Sequence, residues 1–312
     1  YAVLTNFVNV KTSGTVETRL LPKNVAHIGG VAGELEVYDK EKAYIAYVRN
    51  CRAAVETIVG KFDGTEDSVL EVASNGGIVG TVSCTKGAVA IVNCVSDGKV
   101  YGGQFVGGIV GYNSGSNVSI VNCVNYASVR ATAKDVSYAG GIVGSARNDM
   151  IVLDSYSAGN IAGVKASSSF YKSYAGGIFG YSYADDYDMG YTAGVAAENA
   201  FHSGVVRSAS YDNLNSAGTK IDKAKVDKDW FVNNLGFDAD EWNFADGKIS
   251  PADYDKKSGS YKLSLYANDT LVKEIEKPYT DTGFSIIGLL DDGDPIDTLL
   301  FFDWGWQSGT RY

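Results

Sequence analysis

Gly107-Gly108-Ile109-Val110-Gly111 is the clearest copy of a pentapeptide that recurs along the chain. Each copy has two glycines, an isoleucine or valine, one further residue and a third glycine. The other four copies are Gly29–Gly33, Gly76–Gly80, Gly140–Gly144 and Gly176–Gly180. The first glycines, at positions 29, 76, 107, 140 and 176, are therefore 47, 31, 33 and 36 residues apart. A period in this range indicates a repeat architecture in which successive units stack on one another.

A second pattern, asparagine followed by cysteine, alternates with the first. Its copies are Asn50-Cys51, Asn93-Cys94 and Asn122-Cys123. Three weaker copies place Phe7, Ser155 and Phe201 at the cysteine position. The pattern therefore predicts about six stacked units, each with a glycine-rich strand and an asparagine-cysteine strand.

The intervening segments have the composition of short β-strands. They are rich in β-branched residues, their apolar residues alternate, and Gly, Asn, Ser and Asp separate them. These features predict an all-β fold, a solenoid of parallel strands in which like residues form ladders about 4.8 Å apart. The glycines would permit positive φ or close backbone approach at the corners. We expect Ile78, Ile109, Ile142 and Ile178 to form one buried ladder.

The string Gly107–Tyr112 followed by Val121-Asn122-Cys123-Val124-Asn125 resembles the GLUG-motif repeats of bacterial surface proteins. The resemblance covers roughly residues 1–210 and implies a right-handed parallel β-helix in a secreted or cell-surface protein. Some bacterial immunoglobulin-A-cleaving metalloproteases carry the same motif. Their zinc site needs a His-Glu-Xaa-Xaa-His helix, whereas this chain has only His27 and His202. The protease activity is therefore not expected here.

Composition narrows the range of functions. The chain has 312 residues, 45% of them hydrophobic, and a formal net charge of −10. The acidic balance argues against nucleic acid and anionic membranes as partners. The sequence contains no run of 18 apolar residues, so it predicts no membrane-spanning helix. Because Tyr1 lies within a repeat-like strand, we expect the chain to be a trimmed product and part of a larger surface protein.

Several residues are expected to be structural. Cys51, Cys94 and Cys123 share one repeat position, and we favour a ladder of buried thiols over a disulfide or a metal site, because parallel side chains do not converge. The remaining structural positions are the glycine pairs Gly76, Gly77, Gly107, Gly108, Gly140, Gly141, Gly176 and Gly177.

The segment 166–192 is the candidate binding surface, because it combines aromatic rings with carboxylates. Its tyrosines are Tyr171, Tyr174, Tyr181, Tyr183, Tyr187 and Tyr191. A glycan or protein partner would use such rings, and Asp185, Asp186 and Asp188 are candidate ligands of a calcium ion. The alternative is a loop whose tyrosines pack on the side of the solenoid while its acids remain solvated.

Two further regions follow the repeats, which occupy residues 1–212. Residues 213–256 contain Trp230, Phe237 and Trp242, which we interpret as a cap that plugs the open end of the solenoid. Residues 257–312 are similar to the small β-grasp repeats of listerial and Bacteroides surface proteins. That resemblance implies a small β-rich module, in which 261–266 and 271–279 are the predicted strands.

These observations leave three functions open. The first is a non-enzymatic bacterial adhesin, extracellular or on the cell surface, that binds a host or matrix glycan or protein without a cofactor. The second is a structural spacer with no ligand of its own. The third is a polysaccharide lyase or hydrolase, for which Asp185, Asp186 and Asp188 with Lys172 or Arg147 are the only candidates. No motif fixes the geometry of such a catalytic site, so the third is the least favoured.

Overall fold

The computed structural model describes most of the repeat region and parts of the C-terminal region. The described residues are 6–18, 25–38, 44–59, 73–85, 87–115, 117–133, 136–146, 150–163, 172–182, 199–202, 205–207, 218–245, 247–252, 260–267, 270–278 and 302–305.

The repeat region consists of short strands that lie in four sheets, A to D. A circuit is one passage of the chain through the four sheets in that order. The first circuit contains β1 (Phe7–Val8), β2 (Lys11–Thr18), β3 (Ala26–Gly29) and β4 (Ala32–Val37). The second contains β5 (Tyr44–Arg49), β6 (Arg52–Val59), β7 (Ala73–Gly76) and β8 (Val79–Cys84). The third contains β9 (Gly87–Val92), β10 (Val95–Tyr101), β11 (Phe105–Gly107) and β12 (Val110–Asn113).

The next two circuits divide the sheet B strand in two. The fourth contains β13 (Val118–Val121), β14 (Val124–Asn125), β15 (Ser128–Ala131), β16 (Val136–Gly140) and β17 (Val143–Ala146). The fifth contains β18 (Met150–Leu153), β19 (Tyr156–Ser157), β20 (Ile161–Gly163), β21 (Lys172–Gly176) and β22 (Phe179–Ser182). Every described pairing between successive circuits is parallel, for example Ile91 with Ile120 and Ile120 with Val152. The chain is therefore an all-β protein built on parallel sheets, as the sequence predicted.

Strand direction changes after the fifth circuit. β23 (Asn199–His202) pairs antiparallel with β19, and β24 (Val205–Arg207) pairs antiparallel with β18. β25 (Thr219–Asp222) then adds to β23, again antiparallel. Residues 199–202 are thus not part of a sixth parallel unit, and the prediction that Phe201 occupies the cysteine position is wrong. At this edge, sheet A therefore ends in the antiparallel strand β24 and sheet B in the antiparallel strands β23 and β25.

The register also corrects the first unit. Phe7 pairs with Val48, so it does not occupy the cysteine position assigned to it. The amide of Arg52 donates to the carbonyl of Val10, as the amide of Val95 donates to the carbonyl of Cys51, so Val10 holds that position in the first circuit. A slip of three residues is easily made from sequence, because Asn6 and Asn9 both begin a plausible copy of the pattern.

The glycine pentapeptides form the turn from sheet C to sheet D, and this turn points into the molecule. A Cβ on Gly108 would overlap the carbonyl oxygen of Gly141 and contact the Asn125 side chain of sheet B. The interior is consequently divided into two cores. One contains Val82, Ile91 and the predicted isoleucine ladder, whose four members are completely buried, which confirms that prediction. The other packs Val100, Val129 and Ile161 of sheet B against Val106, Ala139 and Ala175 of sheet C.

Behind the turn, sheets C and D lie back to back. The third glycine of each pentapeptide makes this approach possible: a Cβ on Gly111 would lie 2.6 Å from the Asn75 backbone nitrogen. A Cβ on Gly144 would lie 2.5 Å from that of Val106. None of the described pentapeptide glycines has a positive φ. These positions are glycine because a side chain would not fit. Of the two explanations offered from sequence, positive φ and close backbone approach, only close approach applies.

Positive φ occurs instead at the corner between sheets A and B. Asn9, Asn50, Asn93, Asn122 and Asp154 have φ of 58°, 53°, 53°, 49° and 43°. Asparagine and aspartate enter this left-handed region more readily than other residues with a side chain. This requirement explains the asparagine of the asparagine-cysteine pattern, for which the sequence offered no separate reason.

Residues 223–245 and 247–252, here called the flank segment, pack on the outer face of sheet B. After a 3-10 turn (Lys223–Lys225), the segment forms α1 (Lys228–Leu235), then the antiparallel pair β26 (Trp242–Ala245) and β27 (Lys248–Pro251). Asp227 caps α1 by accepting from the Trp230 amide, and Gly236 ends it with φ 61°.

The flank segment covers the outward side chains of three successive circuits, Val95, Val124 and Tyr156. Phe231, Phe237 and Trp242 are buried among them. Three polar contacts fix the position: Lys248 with Asp97 at 2.8 Å, the Ile249 amide with the Tyr126 hydroxyl at 2.9 Å, and Asn93 with Glu241 at 3.0 Å. The sequence led us to expect Trp230, Phe237 and Trp242 at an open end of the stack, whereas they pack against side chains of sheet B from three successive circuits.

The C-terminal region contains a separate three-stranded antiparallel sheet. Its strands are β28 (Ser260–Ala267), β29 (Thr270–Pro278) and β30 (Phe302–Gly305), in the order β29-β28-β30. The two strands predicted at 261–266 and 271–279 are confirmed to within one residue. The β-grasp arrangement of this module stays a prediction.

Candidate binding surface

Sheets C and D, which lie back to back, each contribute one column of side chains in register, and the two columns face each other. The sheet C column contains His27, Ser74, Phe105, Tyr138 and Tyr174. The sheet D column contains Glu34, Thr81, Tyr112, Ser145 and Tyr181. Each circuit supplies one member of each column, so neighbours in a column are one strand spacing apart, about 4.8 Å.

Five of these side chains, Phe105, Tyr112, Tyr138, Tyr174 and Tyr181, form a continuous stack that we call the aromatic strip. Phe105 stacks on Tyr112 within one circuit, with ring centroids 4.6 Å apart and planes inclined by 16°. Tyr138 stacks on Tyr181 of the next circuit at 4.5 Å and 18°. Contacts of Tyr138 with Phe105 at 5.7 Å and with Tyr174 at 5.5 Å link the two stacks. Near-parallel rings at these distances stabilise each other beyond the area that they bury.

Three rings of the aromatic strip are buried and two are partly exposed to solvent. Phe105, Tyr138 and Tyr174 are only 7%, 6% and 3% exposed. Tyr112 and Tyr181 are partly exposed, and they are two circuits apart in the sheet D column, with Ser145 between them. A tyrosine whose ring is held by a stack and whose remaining surface meets water is a rigid, partly apolar contact for a ligand.

The other end of the two columns is polar. The Thr81 hydroxyl lies 2.7 Å from Nδ1 of His27, so this histidine is held by a neighbour on the facing sheet. Glu34 is exposed and precedes Thr81 in the sheet D column. No described carboxylate or nucleophile joins the His27–Thr81 pair in a catalytic arrangement, and His202 lies in β23, whose side chains are outside the described residues.

The structure describes two of the six tyrosines proposed from sequence. Tyr174 is buried in the strip and Tyr181 is one of its exposed members. Tyr171, Tyr183, Tyr187 and Tyr191 lie outside the described residues, and so do the calcium candidates Asp185, Asp186 and Asp188 and the residue Arg147. Only the backbone of Lys172 is described.

Sequence reasoning missed Phe105, Tyr112 and Tyr138. A signal was present, because the aromatic residues occupy fixed positions around the glycine pentapeptide. Phe105, Tyr138 and Tyr174 come two residues before its first glycine, and Tyr112 and Tyr181 directly follow its third. Comparing columns between repeats would have found them, whereas a search for a tyrosine-rich segment did not.

Three of the four cysteines lie at the corner between sheets A and B, where they make hydrogen bonds, and the fourth, Cys84, ends β8 of sheet D. Cys51, Cys94 and Cys123 are completely buried, and none forms a disulfide. The Cys94 thiol can donate to the Val92 carbonyl oxygen at 3.3 Å or to the Val48 carbonyl oxygen of the preceding circuit at 3.4 Å. The Cys94 amide approaches the Cys123 sulfur at 3.5 Å, and the Cys123 amide donates to the Ser155 hydroxyl at 3.1 Å.

This arrangement gives the cysteine position a defined role. After the left-handed asparagine, the next amide points along the stack toward a side-chain sulfur or oxygen of the following circuit, and that side chain can donate to a carbonyl. Serine at position 155 does the same, since its hydroxyl donates to the Leu153 carbonyl at 2.8 Å. The thiols are therefore small buried groups with weak hydrogen bonds. Neighbouring Cys94 and burial raise the pKa of Cys51, and burial and Cys123 raise the pKa of Cys94.

Among the described residues, no group of three or more histidine, cysteine, aspartate or glutamate side chains is arranged to hold a metal ion. No helix in the described part of the chain has the length and apolar character needed to cross a membrane. Comparison with known proteins gives no match, neither to a protein-family model, nor to a curated protein, nor to a solved structure.

Proposed function

We propose that the chain is a right-handed parallel β-helix that acts outside the bacterial cell as a non-enzymatic, adhesin-like binding protein. The proposal for the fold is supported by the order of the strands, which pass through sheets A, B, C and D five times in the described residues. A chain that repeats such a circuit builds a long side surface without needing a pocket. The C-terminal sheet is proposed to be the β-grasp-like module that the sequence resembles.

The observation on which the binding function rests is the aromatic strip. Tyr112 and Tyr181 are partly exposed, and each stacks on a buried ring, Phe105 or Tyr138, that holds it in place. Rigid tyrosines lose little conformational entropy when a ligand binds and offer both an apolar plane and a hydroxyl. Glycans and proteins of a host or extracellular matrix are the partners that such a surface fits.

One observation favours the structural spacer as the second candidate. Three of the five rings are almost completely buried, so much of the strip stabilises the stack of sheets C and D. A spacer would need this packing and nothing more. The two candidates differ in what the exposed tyrosines do, and binding measurements separate them.

The test is retention of the fluorescently labelled chain on an array of polysaccharides and extracellular-matrix proteins, in calcium and in chelator. Selective retention of the folded protein is the expected result. Retention that requires calcium would identify an ion, with Asp185, Asp186 and Asp188 as the first residues to replace. A sample with the circular dichroism of a folded β-protein that is retained nowhere would overturn the binding function and leave the spacer.

A further inference from the structure

The strip contains enough geometry to specify a class of ligand, and this step rests on the proposed binding function. We infer that the aromatic strip binds a neutral, extended β-1,4-linked glycan along the stack, with sugar rings seated on Tyr112 and Tyr181.

The first argument is spacing. Tyr112, Ser145 and Tyr181 are consecutive members of one column, so the backbones of the two tyrosines are two strand spacings apart, about 9.6 Å. In an extended β-1,4-linked chain each sugar is rotated by about half a turn relative to the last. Such a glycan therefore presents the same face at every second sugar, at an interval close to that between the two tyrosines. A chain bound along the column would place sugars n and n + 2 on the tyrosines, and the intervening sugar would pass above Ser145, which is itself completely buried and makes no contact with the ligand.

The second argument is ring chemistry. The face of a pyranose ring carries several C–H groups and is apolar, while its edge carries hydroxyls. Aromatic rings pack well against the face, and a tyrosine hydroxyl can both donate a hydrogen bond to and accept one from the hydroxyls at the edge. Stacking within the strip fixes the planes of both tyrosines before the ligand arrives, which reduces the entropic cost of binding.

The third argument is charge. The aromatic strip itself contains no ionisable acid or base other than tyrosine, and Glu34 is exposed two positions before Tyr112 in the same column. The whole chain has a net charge of −10. A polyanionic glycan would be repelled by this surface, whereas a neutral glycan would not. Glu34 can accept hydrogen bonds from the hydroxyls of a sugar that extends beyond Tyr112.

The test is the affinity of the whole chain for soluble oligosaccharides of increasing length, measured by isothermal titration calorimetry. The probes are β-1,4-linked oligomers of glucose and of N-acetylglucosamine, with α-1,4-linked maltohexaose as the control for chain shape and heparin as the control for charge. We expect affinity for the β-1,4-linked oligomers to rise steeply between two and four sugars, because three sugars are needed to span both tyrosines. Maltohexaose and heparin should not show this rise.

The test variants are Tyr112→Ser and Tyr181→Ser, since Ser145 shows that the column accommodates serine. Each should weaken binding of the hexasaccharide about tenfold, which corresponds to the upper range of one aromatic contact, and remove the rise with length. Tyr112→Phe keeps the ring and should retain most of the affinity. Tyr38→Ala is the matched control, because Tyr38 is 57% exposed and lies outside the strip. The melting temperature of every variant shows whether it is folded.

The outcomes separate this inference from the proposed function. Binding of a β-1,4-linked glycan that is unchanged in folded Tyr112→Ser and Tyr181→Ser would overturn the inference but leave a binding protein. The same holds if the wild-type chain binds only a matrix protein or an anionic glycan. If the wild-type chain binds nothing on the array and no oligosaccharide, both the inference and the binding function are wrong.

Discussion

The corner between sheets C and D and the corner between sheets A and B both recur once in each circuit, and both depend on residues that are common in turns. At the first corner, Gly107 has an ordinary backbone conformation, but a Cβ there would overlap the Val110 carbonyl oxygen and lie 2.6 Å from the Gly144 nitrogen. At the second corner, Asn122 has a φ of 49° and a side chain that is partly exposed. The glycine corner is limited by space and the asparagine corner by backbone conformation.

The difference shows how two unlike constraints keep the circuits in register. The glycine turn fits against sheet B and against its copies in the neighbouring circuits, so any added atom disturbs several strands at once. At the asparagine turn, the asparagine amide joins the next circuit through one backbone hydrogen bond, as the Asn93 amide does with the Val121 carbonyl at 3.1 Å. Substitutions at the two corners should therefore differ in size and in which residues are accepted.

Gly107→Ala should produce the largest effect. The obstructing atoms are backbone atoms that cannot move aside without breaking the pairing of β11 and β12 with the next circuit. We expect a loss of about 3 kcal/mol or more in the free energy of unfolding, or failure to fold, measured by urea denaturation.

Gly236→Ala is the matched control for this substitution. Gly236 has a φ of 61° with no atom within 4 Å of an added Cβ, so the same chemical change should cost only about 1 kcal/mol. Equal losses in the two variants would contradict the conclusion that space selects glycine at the turn between sheets C and D.

Because of the thiols at the corner between sheets A and B, the free energy of unfolding should fall as the pH becomes alkaline. The pKa values of Cys51 and Cys94 are raised above 9.0 in the folded chain, so these thiols stay protonated there while the unfolded chain ionises. Their contribution to stability is complete below about pH 9 and is lost as the pH rises above it. Each thiol contributes up to about 1.4 kcal/mol per pH unit to this decline.

The double variant Cys51→Ser, Cys94→Ser tests this pH dependence. Serine does not titrate in this range, and Ser155 shows that the position accepts it. The free energy of unfolding, measured in urea with a phosphine reductant, should fall less steeply between pH 9 and pH 10.5 than in the wild-type chain. Between pH 6 and pH 8 the two curves should run parallel. Identical slopes above pH 9 would mean that the folded chain ionises these thiols as readily as the unfolded chain does.

The sequence predicted the features that recur with little variation. The spacing of the glycine pentapeptides and the alternation of the strands between them were sufficient for the parallel all-β class and for the ladder of Ile78, Ile109, Ile142 and Ile178. These features depend on local pattern, because an inward side chain in a strand is followed by an outward one. They could be derived without knowing where the turn between sheets C and D points.

Features that depend on long-range geometry were not predicted. The inward turn arises because Gly108 meets Asn125 of another sheet, a contact that no local pattern shows. The reversal of β23 depends on which edge the chain meets after the fifth circuit, and Asn199-Ala200-Phe201 imitates the parallel repeat well enough to conceal it. The candidate site was predicted only in part for the same reason, because Tyr112 of sheet D stacks on Phe105 of sheet C, a contact between two sheets.

Asn122→Ala should produce the smallest of the three effects and returns to the comparison of the corners. Asn122 already carries a Cβ, so the cost is the greater difficulty with which alanine enters the left-handed region compared with asparagine, about 1 kcal/mol. Asn122→Gly should stay within about 0.5 kcal/mol of the wild-type chain, because glycine enters that region freely but has more conformational freedom to lose on folding. Both values come from urea denaturation under the conditions used for Gly107→Ala.

The two substitutions together decide what selects asparagine at this corner. Asn122→Asp provides the control, since Asp154 occupies the same column with a φ of 43°. If alanine and glycine reduce stability equally while aspartate does not, a side-chain hydrogen bond and not the backbone conformation explains the asparagine. If glycine is tolerated and alanine is not, the left-handed backbone conformation selects asparagine at the corner between sheets A and B. Glycine, which the turn between sheets C and D requires, would then also fit at this corner. That turn would still reject asparagine, because its glycines have no room for a side chain.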